Sequence, residues 1–152
     1  MTFYRRDLPH IQKGSRPHFL TFVTHQRRIL PEWARDIVLQ CCLHDHEKRH
    51  LLHVAVVMPD HVHLIFTPLI VGSEKDEVWA LRDIMKGIKG ASSHHINKQA
   101  SRRGPVWQAE SFDHVVRSWI SLKSQIDYVQ QNPVRKGLVQ SATQYRWLWS
   151  EQ

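Results

Sequence analysis

Cysteine is scarce in this chain, and the two present, Cys41 and Cys42, are adjacent. Sequence neighbours are poorly placed for an ordinary disulfide, and no spaced Cys or His pair near them offers a structural zinc site. The expectation is two reduced, buried thiols in a cytosolic protein. No apolar run approaches the roughly 18 residues of a membrane-spanning helix, and the opening MTFYRRDLPH lacks the hydrophobic stretch of a secretory leader. Internal repeats, low-complexity tracts and linkers are missing too. Acids are few: 14 Asp and Glu face 21 Lys and Arg, a formal charge of +7 with the 12 histidines neutral. What is there suffices for a core. A chain of 152 residues, 41% of them hydrophobic, fits one globular domain over 1–152. Its positive excess favours an anionic partner, nucleic acid first, and not a membrane.

Periodicity predicts the order β-α-β-β-α-β-α. HFLTFVTHQR (18–27) alternates apolar and polar residues as a strand does, and 31–49 set Trp33, Ile37, Val38 and Cys41 at helical spacing behind Pro31. LLHVAVVM (51–58) and HVHLIFTPL (61–69) read as two strands joined through Pro59 and Asp60. Residues 76–99 repeat Val78, Leu81, Ile84, Met85 and Ile88 at helix period, and SRRGP is a turn. VWQAESFDHVV (106–116) is a strand interrupted at Ala109, Glu110 and Ser111. RSWISLKSQIDYVQQNP is a helix expected to stop at Pro133, and the aromatic-rich tail is expected to pack back on the body. The first six elements match the split β-α-β arrangement. The predicted class is α+β: a ferredoxin-like (RRM-like) antiparallel sheet with helices on one face, the other face free, plus a C-terminal helix. Such a fold hosts many functions.

The stretch VVMPDHVHLIF (56–66) carries the first chemical signal. Side chains alternate across a strand, so His61 and His63 share one face about 7 Å apart, while Val62, Leu64 and Phe66 face the helices. Two imidazoles at that separation can converge on one divalent ion at about 2.1 Å per bond, with positions left open for substrate and water. Chance also produces His-x-His in a histidine-rich chain, and solvated surface histidines are the plain alternative. His94 and His95, about 100° apart on a helix, belong to that plain class.

The second signal is in WISLKSQIDYVQQNP (119–133). At about 100° per residue, Trp119, Leu122, Ile126 and Val129 form one apolar stripe. Tyr128 falls roughly 140° from its centre, with Ser121, Ser124, Gln125 and Asn132. Asn132, four residues on, brings an amide near the phenol. A partly exposed amphipathic tyrosine is the ordinary explanation. Beside a metal held by His61 and His63, with Asn132 as an oxygen ligand, a phenol becomes a competent nucleophile at phosphorus. Nitrogen and oxygen donors with open positions suit Mg²⁺ or Mn²⁺.

VVMPDHVHLIF, IMKGIKGASSHHINK, GPVWQAESFDHVVRS, YVQQNPVRKGLV and the late YRW occur in the order seen in REP-associated tyrosine transposases. The chain resembles this branch of the single-tyrosine His-hydrophobe-His (HUH) transposases from about Tyr4 to Trp149. The resemblance implies that His61 and His63 are paired metal ligands, Asn132 the third ligand and Tyr128 the nucleophile. It further implies cleavage and rejoining of single-stranded DNA at hairpin-flanked sites through a 5′-phosphotyrosine, with a free 3′-hydroxyl released. Asn rather than Gln at 132 points to the REP-associated branch, a monomer is favoured over a homodimer, and the location would be cytoplasmic, at the nucleoid. Some members of the family carry a longer tail beyond the position of YRWLWS, and none is expected here.

Basic residues supply the candidate DNA grip. Residues 82–103 hold Arg82, Lys86, Lys89, Lys98, Arg102 and Arg103 against Asp83 alone. Lys86 and Lys89 share a helix face and could meet successive phosphates, with Arg102, Arg103, Arg135, Lys136, Arg5 and Arg6 as further candidates. A solvated helix face is the alternative. Trp107 is either a base-stacking or a core residue. The competing function is a non-catalytic single-stranded nucleic-acid binder of the same fold, for which aromatics rather than histidines are expected on the central strands.

Overall fold

A largely apolar run, His50–Val57, forms a strand buried along its whole length, because helices cover both of its faces. It is β2 of the computed structural model, which describes residues 15–72 and 77–151. The other elements are β1 (His18–Thr24), α1 (Glu32–His44), β3 (His61–Pro68), α2 (Leu81–Ala100), β4 (Trp107–Val115), α3 (Trp119–Arg135) and β5 (Leu148–Ser150). The sheet runs β4-β1-β3-β2-β5 with every pairing antiparallel. Arg5 and Arg6 lie outside the described residues, as does part of the stretch expected to begin the second helix. Among the described residues no helix is long and apolar enough to cross a membrane.

The predicted α+β, ferredoxin-like order is observed. Leu20, Phe22, Leu52, Leu64 and Phe66 are fully buried in one core. Phe19, Thr21 and His63 share the opposite face, as the register Thr21↔His63 requires. That face is not free. α3 crosses it and touches β2 and β3, so the expected open platform is roofed over part of its area. His94 and His95 are exposed, and Trp107 is core, 5% exposed, its indole N–H donating to Ser92 Oγ at 3.0 Å. Cys41 and Cys42 are both free, half-buried and buried respectively.

Several boundaries depart from the sequence pattern. β1 stops at Thr24, and His25–Arg27 close a 3-10 turn with Gln26 and Arg27 left-handed at φ 57° and 54°. α2 begins only at Leu81, since Val78 bridges to Ile70 instead. The tail adds a fifth strand, which tertiary pairing with β2 creates from a segment too short to announce itself. Pro133 lies inside α3 rather than ending it. The ring deprives only one carbonyl of a partner this close to the terminus. The stop is Gly137 at φ 74°: its N–H donates to Val134 O at 3.0 Å and that of Leu138 to Pro133 O at 2.9 Å, a Schellman closure. Within α3 the stripe is Leu122, Val129, Asn132 and Pro133, whereas Trp119 is 40% exposed. Asn132 therefore faces inward and does not share the exposed face of Tyr128.

Candidate active site

The turn Pro59-Asp60 delivers both histidines. Met58 N–H donates to His61 O at 2.8 Å, and Asp60 O accepts from Thr24 N–H at 2.9 Å and Thr24 Oγ1 at 3.1 Å, fixing the start of β3 against the end of β1. The two imidazoles lie side by side, ring centroids 4.8 Å apart and planes at 73°. Each has its Nδ1 occupied. His61 Nδ1–H donates to Asp60 Oδ1 at 2.7 Å, and Arg27 Nη1 donates to Asp60 Oδ2 at 3.3 Å. His63 Nδ1 lies 2.7 Å from Thr21 Oγ1. A carboxylate only accepts, so in neutral His61 the lone pair is on Nε2.

Electrostatics agree. Burial pushes His63 down to about 4, helped by the charges of His61, Arg135 and Lys136, so at neutral pH its ring is the uncharged form that metal binding needs. Burial raises the Asp60 carboxyl, but the hydrogen bonds and charges of His61 and Arg27 outweigh it and hold the group below its ordinary range.

α3 brings the phenol. Tyr128 is 51% exposed, with its ring centroid 6.4 Å from that of His63 and 6.4 Å from that of Phe19. Arg135 Cζ stands 4.0 Å from the Tyr128 ring centroid, and its Nη2 donates to Tyr128 O at 2.7 Å. Asn132, 3% exposed, keeps a buried Oδ1 with no hydrogen-bond partner. Among the described residues no three His, Cys, Asp or Glu side chains form a metal set, so a third protein donor has to be of another type. The orphaned amide oxygen of Asn132, one turn beyond Tyr128, is chemically of that type, and two imidazoles with one amide would suit a divalent ion with further positions left open.

The structure thus gathers His61, His63, Tyr128 and Arg135, with Asn132 on the sheet side of the same helix. The proposed phosphate lysines are elsewhere. Lys89 points to the other sheet face, where its Nζ donates to Gln108 O and Ser111 Oγ at 2.9 Å, and burial lowers its pKa. Lys86, Arg102 and Arg103 are exposed, Lys86 on α2 and the two arginines in the turn after it. Thr21, Asp60, Phe19 and Arg27 do not stand out in the sequence as site residues. Asp60 has a signal, its place directly before His61; Thr21 has none, since its role depends on the β1–β3 register.

The chain belongs to the family described as "Transposase IS200 like", whose model matches residues 12–132. A Haemophilus influenzae protein provisionally named a REP-associated tyrosine transposase is 29% identical over 152 residues, covering 92% of this chain and 80% of that protein. In fold the chain is similar to a REP-associated tyrosine transposase bound to a REP hairpin, with TM-score 0.70, 21% identity, and 97% of this chain and 82% of that one covered. It is also similar to a provisionally assigned transposase from Deinococcus radiodurans, with TM-score 0.53, 18% identity, and 84% and 97% covered.

Proposed function

We propose that this member of the IS200-like transposase family cleaves and rejoins single-stranded DNA at hairpin-flanked sites, with Tyr128 as covalent nucleophile. The observation that carries the proposal is the exposed phenol of Tyr128 beside His63, 6.4 Å between ring centroids, over a sheet face that its own helix covers only in part. The Tyr128 oxygen would attack the scissile phosphorus. An O–P bond forms to the 5′ side, the P–O3′ bond breaks, the phenolic proton leaves and the departing 3′ oxygen takes one up. The same 3′-hydroxyl, or another, reverses the step. A divalent ion, Mg²⁺ or Mn²⁺, held by His61, His63 and Asn132 would supply Lewis-acid polarisation of the phosphate. Asp60 and Thr21 hold the two imidazoles by their Nδ1 atoms. Arg135, stacked on the nucleophile, offsets the phosphate's charge where the oxygen approaches. A hairpin as the DNA partner fits the chain's positive excess and the REP hairpin bound by the structural relative.

Incubation with labelled single-stranded hairpin DNA and Mg²⁺, followed by denaturing electrophoresis, tests this directly. Wild type should give a covalent protein–DNA adduct and Tyr128→Phe none; an adduct formed by Tyr128→Phe refutes the role. A non-catalytic binder leaves no adduct with either. Binding should also fall steeply with salt, as phosphate contacts require.

A further inference from the structure

Phe112 is 58% exposed in the middle of β4. An isolated exposed apolar side chain is ordinary in itself. Its position is not. Thr21 is registered to Phe112 on one side and to His63 on the other, so the three residues form a row across β4, β1 and β3 on a single face of the sheet. With strands about 4.8 Å apart, Phe112 stands about 10 Å from His63 at the backbone. Two residues along the same face, His114 stacks on Phe19 at 5.0 Å, and Phe19 meets both His63 (5.6 Å) and Tyr128 (6.4 Å). Aromatic rings therefore line the floor from the edge of the sheet to the site. Of these, Phe112 and Tyr128 are exposed large hydrophobics.

We infer that Phe112 is a stacking platform for one unpaired nucleobase of the DNA held at Tyr128. The inference rests on the DNA role proposed above and adds a subsite to it. At about 3.4 Å per stacked nucleotide, a base on Phe112 lies within about three nucleotides of the phosphate at Tyr128. A phenyl ring suits any base, since every base presents a π-face. A second copy of the chain is the poorer occupant. β4 is an edge strand, but backbone pairing along that edge would leave its face uncovered. One phenyl ring also falls far short of the roughly 800 Å² per partner that a stable interface buries. Exposed Glu110 and Asp113 further guard the strand against edge pairing.

The test uses a DNA hairpin with single-stranded oligothymidine tails, carrying one 2-aminopurine moved stepwise along each tail, and the Tyr128→Phe protein so that no cleavage intervenes. Stacking should quench 2-aminopurine at one tail position close to the hairpin. Phe112→Ala should abolish that quench and weaken binding about 5- to 150-fold, whereas Phe112→Trp should retain both. An abasic residue at the quenched position should weaken binding to the parent protein but add nothing to the loss in Phe112→Ala. Equal quenching and affinity in parent and Phe112→Ala, with both proteins folded, overturn the platform while leaving the DNA role standing. Failure of the parent to bind the hairpin at all removes both.

Discussion

The guanidinium of Arg135 lies over the phenol ring of Tyr128, Cζ 4.0 Å from the ring centroid, and one of its nitrogens donates to the tyrosine's own carbonyl at 2.7 Å. One side chain thus grips Tyr128 at both ring and backbone, seven positions along the same helix. A planar cation does this and a point charge does not. Arg135→Lys keeps the charge but loses the stack, which at an exposed site contributes about 0.5–1 kcal/mol. Single-turnover adduct formation should slow about 2- to 5-fold in Arg135→Lys, and more in Arg135→Leu, where the charge beside the phosphate is lost as well. Wild-type rates in Arg135→Lys would make the stack incidental.

Asp60 connects the basic turn to the His61–His63 pair through Arg27 on one oxygen and His61 on the other. Partners of this kind typically change metal affinity 10- to 100-fold on removal. Asp60→Ala should therefore weaken Mn²⁺ binding by about that factor, read by calorimetry on the protein alone. The fold should persist, because Thr24 holds the Asp60 carbonyl and not its side chain. Undiminished Mn²⁺ affinity in Asp60→Ala would show that His61 needs no orienting partner.

Much of this site is legible in the order of the amino acids alone. His61 and His63 declare their common face through the period of two, and Tyr128 stands out because a helix normally buries its aromatics. The element order follows from the same patterns. What stays hidden is set by tertiary contact. Thr21 acquires its partner from strand register, and β5 exists because β2 offers it an edge. Placing Asn132 with the polar face fails for a chemical reason. An asparagine reads as a surface residue, yet here it is turned under the helix with its oxygen unpaired.

That orphaned oxygen makes Asn132 a liability to the metal-free fold. Leaving a buried acceptor unsatisfied costs about 1–3 kcal/mol. Asn132→Leu, close in size, should raise stability in metal-free urea unfolding by about 1 kcal/mol while Mn²⁺ binding and adduct formation are lost. Loss of stability together with activity would mean that the amide serves the fold and not a ligand.

Stability should also respond to pH through His50, which is fully buried. Its ring lies 3.3 Å from Cys42 O through Nε2, and its buried Nδ1 has no partner, so a second proton there would find no acceptor. Burial pushes its pKa down to about 4, against the opposing bond to Cys42, from an ordinary value of 6.5. Between those values the unfolded chain takes up a proton that the folded one refuses. The contribution is complete above 6.5 and disappears as pH falls towards 4. About 3 kcal/mol is at stake by the linkage relation. Urea unfolding at pH 7 and pH 5 should show the drop in wild type, and His50→Leu should lessen it, leaving the share of His63, which burial also holds down to about 4. An unchanged slope in His50→Leu would move the effect to another group.

The last turn of α3 sets where Arg135 can reach, and Gly137 ends that turn. A Cβ at this position would meet nothing within 4 Å, so the only penalty for Gly137→Ala is the left-handed backbone at φ 74°. That penalty is about 1–2 kcal/mol, and Gly137→Asn should incur less because asparagine tolerates the conformation. Both variants keep every side chain of the site. If the closure at Gly137 holds the helix end in place, adduct formation should fall in the same order as stability, alanine below asparagine below wild type. A Gly137→Ala protein that loses about 1 kcal/mol in urea unfolding but forms adduct at the wild-type rate would show that Arg135 keeps its grip on Tyr128 without help from the helix terminus.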